Sequence, residues 1–78
     1  MEAASLVRMA NQIAAFFAAY PHDQAVTATA EHIRQFWDPR MRAQLNALVE
    51  VGGDGLTDVA LAAAAHLRDE ATRPAHAG

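Results

Sequence analysis

The sequence predicts an all-α fold, a small bundle of about four short helices. Three observations carry that expectation. Apolar residues recur every three to four positions, and β-branched residues never alternate with polar ones as a half-buried strand requires. Three of the four glycines fall together in one stretch, Gly52-Gly53-Asp54-Gly55, so glycine is sparse before it. Upstream of it, Asp38-Pro39 is a helix-start signal: an aspartate suited to accept from unpaired backbone N–H groups, then a proline whose missing N–H costs nothing in the first turn.

The first helix is expected over residues 5–19, with Ser5 as cap and Pro21 as terminator. At roughly 100° per residue, Leu6, Met9, Ile13, Phe16, Phe17 and Tyr20 share one side, which Val7, Ala10 and Ala14 widen to about half the circumference. One neighbouring helix cannot cover so wide an arc. Either this helix is central in the fold, or part of its arc is left for another chain. Arg8, Asn11, Gln12, Ala15 and Ala19 form the opposite side.

The second helix is expected over residues 23–37, capped by Asp23, with Val26, Ala30, Ile33, Phe36 and Trp37 on one face. Glu31, Arg34 and Gln35 read as solvated. Thr27 and Thr29 lower its intrinsic propensity, so packing must hold it. The third helix, residues 39–51, carries a narrow stripe of Met41, Leu45, Leu48 and Val49 and stops at Gly52-Gly53, where left-handed φ is easy. The fourth, residues 57–71, starts on Thr57 or Asp54. It turns Leu56, Val59, Ala60, Ala63 and Leu67 one way, with Leu61 off that stripe, and its alanines favour a close helix approach. Asp58 and Arg68 suit the two ends of its dipole. The expected organisation is one helical domain over residues 1–71 and a disordered tail over residues 72–78.

Composition narrows the function. Alanine supplies about half of the 53% hydrophobic residues, leaving about twenty larger apolar side chains for a core. In a chain of 78 residues that makes for marginal stability. The absence of cysteine excludes disulfides, thiolate metal sites and cysteine nucleophiles. A net charge of −3 argues against nucleic acid as partner. No basic leader precedes an apolar run, and the run Ile13 to Tyr20 is too short to span a bilayer; the cytoplasm is the expected compartment, without membrane contact.

No constellation for chemistry emerges. His22, His32, His66 and His76 lack the three-to-four spacing that places two metal ligands on one helix face. Asp69-Glu70 reads as a solvated helix end and Asp54 and Asp58 as capping residues, not as paired carboxylates in a cleft. The glycine stretch has neither the lysine nor the preceding strand of a phosphate loop and reads as a turn. A helix-turn-helix reading fails because the would-be recognition helix is apolar after Arg42.

The corner Phe36-Trp37-Asp38-Pro39-Arg40-Met41-Arg42 holds the only tryptophan and two of the six arginines. It supports two readings. In one, Phe36 and Trp37 are core, Asp38 caps, and Arg40 and Arg42 are solvated or paired with Asp38 and Glu31. In the other, Trp37, Arg40 and Arg42 belong to an interface, where tryptophan and arginine are favoured anchors.

The segment Leu6-Val7-Arg8-Met9-Ala10-Asn11-Gln12-Ile13-Ala14, then Phe16-Phe17 and Pro21, then His32-Ile33-Arg34 leading into that same corner, resembles the delta subunit of soluble NAD-dependent formate dehydrogenases. The likeness is dense through the first half, extends loosely through Gly55-Leu56 to about Leu67, and omits the tail. It implies an accessory subunit without catalytic residues, metal or cofactor of its own, associated with assembly or stability of its complex. The implied partners are a catalytic (alpha) subunit holding a molybdenum or tungsten bis(pterin guanine dinucleotide) centre, iron–sulfur clusters, and a flavin (FMN) subunit; together they oxidise formate to carbon dioxide and reduce NAD. On that footing the partner-binding residues are expected to be Asn11, Gln12, Phe16, Phe17, Trp37, Asp38, Arg40 and Arg42. Asn11 and Gln12 enter because they point away from the apolar arc, where a surface amide pair has no core role. Alternatives are a maturation chaperone that leaves after cofactor insertion, and an unrelated helical homodimer.

Overall fold

The computed structural model describes residues 2–72, with side chains through Ala71. These residues form four helices and no strand: α1 (Ala3–Phe16), α2 (His22–Phe36), α3 (Pro39–Glu50) and α4 (Asp58–Thr72). The all-α expectation holds. The tail expected over residues 72–78 lies outside the described residues, apart from the backbone of Thr72, which ends α4.

Helix ends depart from expectation where side-chain caps were assumed. Ser5 lies inside α1, which begins after Glu2 with no side-chain cap. The same helix stops three residues early. Phe17 N–H bonds to Ala14 at 3.2 Å and Ala18 N–H to Ala15 at 3.2 Å, a tightening that ends the α pattern before Pro21 is reached. Pro21, not Asp23, occupies the cap of α2; Asp23 sits in the first turn, where its charge suits the dipole. Two caps behave as their chemistry requires. Asp38 accepts from Met41 N–H at 2.9 Å with Pro39 opening α3, and Thr57 Oγ accepts from Ala60 N–H at 3.4 Å at the start of α4.

The buried core is built largely from alanine. Leu6, Ala10 and Ala14 of α1 meet Ala30, Ile33 and Trp37 at α2, Leu45 of α3, and Ala60, Ala63, Ala64 and Leu67 of α4. The most extensive pairing is α2 with α4. Ala60, Ala63 and Ala64 are wholly buried, so these backbones approach as closely as the alanine run of α4 suggested. Thr29, also wholly buried, returns its hydroxyl to Ala25 O at 2.7 Å, so its own polar group is paired.

The α3–α4 connection is fastened at both ends. Gly53 N–H bonds back to Leu48 O at 2.8 Å with φ of +63°, closing α3. A Cβ on Gly53 would sit 2.5 Å from Leu61 Cδ1, so Leu61, off the helix stripe, packs on the glycine turn instead. From the other side, Asn11 Nδ2 donates to Gly55 O and Asn11 Oδ1 accepts from Thr57 N–H, each at 2.9 Å. A single amide therefore ties α1 to the loop and to the start of α4. The expectation that Asn11 has no role inside the fold is corrected.

Arg34, expected to be solvated, joins α2 to α4. Its Nη2 lies 2.8 Å from both Glu70 carboxylate oxygens, and Glu31 takes another arm of the same guanidinium. His66 adds a second partner to Glu70 at 3.1 Å. Asp69 and Glu70 are both exposed near the end of α4, as expected, and both are also paired: Glu70 as described, and Asp69 at 3.3 Å from Arg68, which also reaches Glu50 of α3. The hydrogen bond from Arg34, more than any other influence, holds the Glu70 carboxyl below its ordinary range.

Two outcomes follow. Asn11→Ala removes two hydrogen bonds and should cost about 1–2 kcal/mol, lowering Tm by roughly 5–15 °C in a chain of this size; an unchanged Tm would show that the loop is held by other means. For Glu70 the folded chain binds the proton less readily than the unfolded one. Its contribution is therefore full above the ordinary glutamate value of 4.5 and lost as pH falls through and below it. Denaturant midpoints of the wild type should decline faster over that interval than those of Glu70→Gln, and parallel acid limbs would contradict the assignment.

Candidate functional site

An apolar groove of about 450 Å³ runs between α1 and the C-terminal end of α2. Met9, Ile13, Phe16 and Phe17 form the α1 wall, with Gln12 on the rim; His32 lies on the other side, and Trp37 forms part of the lining from within the core. No carboxylate lines it, although the chain is net acidic.

Aromatic rings dominate the surroundings. Phe16 and Phe17 meet edge to face with centroids 5.0 Å apart, and Phe17 lies 6.2 Å from Tyr20. His32 stacks obliquely on Phe36 at 4.7 Å. Phe16 is 78% exposed, Phe36 71% and Tyr20 54%, whereas Trp37 is 5% exposed. The wide arc of α1 thus divides: Leu6, Ala10 and Ala14 are buried in this chain, while Phe16 and Tyr20 are left uncovered. Phe36, expected on the packed face of α2, is also exposed: it is the last residue of that helix, and Trp37, just beyond it, takes the core position.

The structure brings Gln12, Phe16, Phe17 and Trp37 together in this groove. Asn11 is not among them; its amide is spent on Gly55 and Thr57. Asp38 is spent as a cap, and Glu31 on Arg34 and Gln35, so neither pairing imagined for Arg40 and Arg42 is present. Arg40 is exposed; Arg42 is half-buried in a separate cleft between α2, α3 and α4. Met9, Ile13, His32, Phe36 and Tyr20 were missed as site residues because an apolar arc reads as core wherever helical period is the only guide. The surplus width of that arc was the available signal. Among the described residues, no group of three or more histidines and carboxylates is placed to hold a metal ion, and no helix is long and apolar enough to cross a membrane.

Residues 5–64 match the family model described as NADH-dependent formate dehydrogenase delta subunit, FdsD. The chain belongs to the FdsD family. The matched span holds all of α2 and α3, nearly all of α1, the glycine turn and the first half of α4. Every groove residue of this delta subunit lies inside it, and so do both sides of the Asn11 tie. No curated relative and no solved structure matches the chain.

Exposure separates the residues in and beside the groove experimentally. Phe16→Ser and Phe36→Ser should leave stability within about 0.5 kcal/mol of wild type, whereas Trp37→Ala should cost about 3–5 kcal/mol. Equilibrium unfolding in urea checks this, and a large loss from Phe16→Ser would mean the ring is packed in solution.

Proposed function

We propose that this delta subunit is a non-catalytic accessory subunit that docks on the catalytic (alpha) subunit of a formate dehydrogenase through the α1–α2 groove. The observation that carries the reading is the cluster of Phe16, Tyr20 and Phe36, largely uncovered around a groove free of carboxylates. Rings of that size held in solvent by a chain with so small a core mark a surface that another protein covers. Gln12 on the rim and the exposed Arg40 at the nearby corner supply polar edges to such a contact.

In this reading the chain brings no reactive group. The partner subunits hold the molybdenum or tungsten bis(pterin guanine dinucleotide) centre, the iron–sulfur clusters and FMN, and the cytoplasmic complex converts formate and NAD⁺ to carbon dioxide and NADH. The delta subunit contributes by covering and steadying the catalytic subunit, during assembly or in the finished enzyme. The groove lining fits that role: its side chains are apolar and aromatic, with one amide and one imidazole, and offer no paired acid and base.

The test is co-purification with a tagged catalytic subunit. Phe16→Asp with Phe36→Asp places two charges on the apolar rim and should reduce retained delta subunit by about ten-fold or more, with formate-dependent NAD⁺ reduction falling in parallel. Undiminished retention and full activity would remove the groove as the docking face. Native mass measurement of the mature complex then separates a resident subunit, present at fixed stoichiometry, from a chaperone that has left.

A further inference from the structure

A second feature shares no lining residue with the groove. The cleft between α2, α3 and α4, about 390 Å³, is lined by Arg34, Arg42, Asn46 and Glu70, with Pro39 and Leu67 among its apolar walls. Two of its charges are already matched: Arg34 is held by Glu70 and Glu31, and Glu70 also takes His66. Arg42 differs. Its Nε is buried and has no acceptor among the described residues. A buried donor left without a partner costs about 1–3 kcal/mol, more when it is charged.

We propose that this cleft receives a carboxylate side chain, aspartate or glutamate, of the docking partner, with Arg42 as principal donor and Asn46 beside it. The proposal rests on the docking reading above. A guanidinium presents donors in a planar fork that matches a carboxylate, and Asn46, one turn on from Arg42, adds an amide to the same space. The cleft is far larger than a bare small anion fills, given about 30 Å³ for a water molecule. Its apolar walls suit the carbon stem that an acidic side chain carries. A free carboxylate gains little from a single partly exposed arginine in water, whereas one delivered on a docked surface arrives at an effective concentration in the millimolar range.

The decisive signature is opposite signs for folding and binding. Arg42→Met keeps the length of the stem and removes the unpartnered donor. It should leave the Tm of the isolated full-length chain unchanged or raised, and weaken binding to the purified catalytic subunit about 10- to 100-fold. Asn46→Asp, one turn on from Arg42, supplies from within the acceptor that Arg42 lacks, so it should raise Tm and also weaken binding. If wild-type chain fails to bind the catalytic subunit, the docking reading falls and takes this proposal with it. If wild type binds and both variants bind as tightly, the docking reading stands and the cleft proposal alone is overturned. Saturable binding of acetate to the isolated chain at low millimolar concentration, with partner affinity indifferent to Arg42, would assign the cleft to a free anion and overturn it likewise.

Discussion

Close approach through alanine is the constraint on which the rest of this structure depends. Ala10, Ala14, Ala25, Ala30, Ala60, Ala63 and Ala64 are buried almost completely. Helices that meet through a methyl group stand near enough for their backbones to pack, and little room is left between them for large rings. Only Trp37 among the aromatic residues is buried. Phe16, Tyr20 and Phe36, at or just beyond the ends of α1 and α2, stand at the rim. An alanine seam also buries less apolar area per residue than a leucine seam, at about 25 cal/mol for each Å². The exposed aromatic cluster and the thin core both favour a chain that gains stability when something covers it.

Polar ties take up part of what the core does not provide. Asn11 reaches across 44 and 46 positions of sequence to Gly55 and Thr57, and Arg34 across 36 to Glu70. The Arg34–Glu70 pair is partly exposed and so worth no more than an ordinary surface ion pair, while the Asn11 tie is worth its two hydrogen bonds. Their effect is on register. An alanine face is smooth and specifies poorly how far one helix slides along another. A two-sided amide bond and a forked guanidinium have one geometry each, and they fix α1 against the glycine turn and α2 against α4.

What was legible in the sequence follows from the same distinction. Asp38-Pro39, Thr57 and Gly52-Gly53 act on backbone groups within a few residues, so their roles can be read without knowing the fold. Asn11, Arg34 and Glu70 act over long separations, and nothing local marks them off from solvated polar residues. The helix starts assigned to Ser5 and Asp23 failed for a related reason. A side chain able to cap does so only if the backbone happens to turn there, and at both places the chain entered the helix earlier. For the candidate site, the over-wide arc of α1 was readable, but which half of it stays uncovered depended on where α2 and α4 settle. Gln12, Phe16, Phe17 and Trp37 do share one groove; Arg42 sits elsewhere because α3 turns it toward α4.

The placement of the groove bears on how cheaply it can bind. Its walls come from α1 and from the end of α2, two elements held to each other and to the rest of the fold by buried contacts. Phe16 and Phe17 are already in an edge-to-face pair, and His32 and Phe36 already stack. Rings with neighbours have fewer rotamers to lose, and side-chain ordering at an interface costs about 0.5–1.5 kcal/mol for each mobile residue. A partner meeting this surface finds most of that ordering done. A thin core and an ordered aromatic rim are compatible here because they reside in different atoms: the alanine seam sets how firmly the bundle holds, and the aromatic pairs set how ready its rim is.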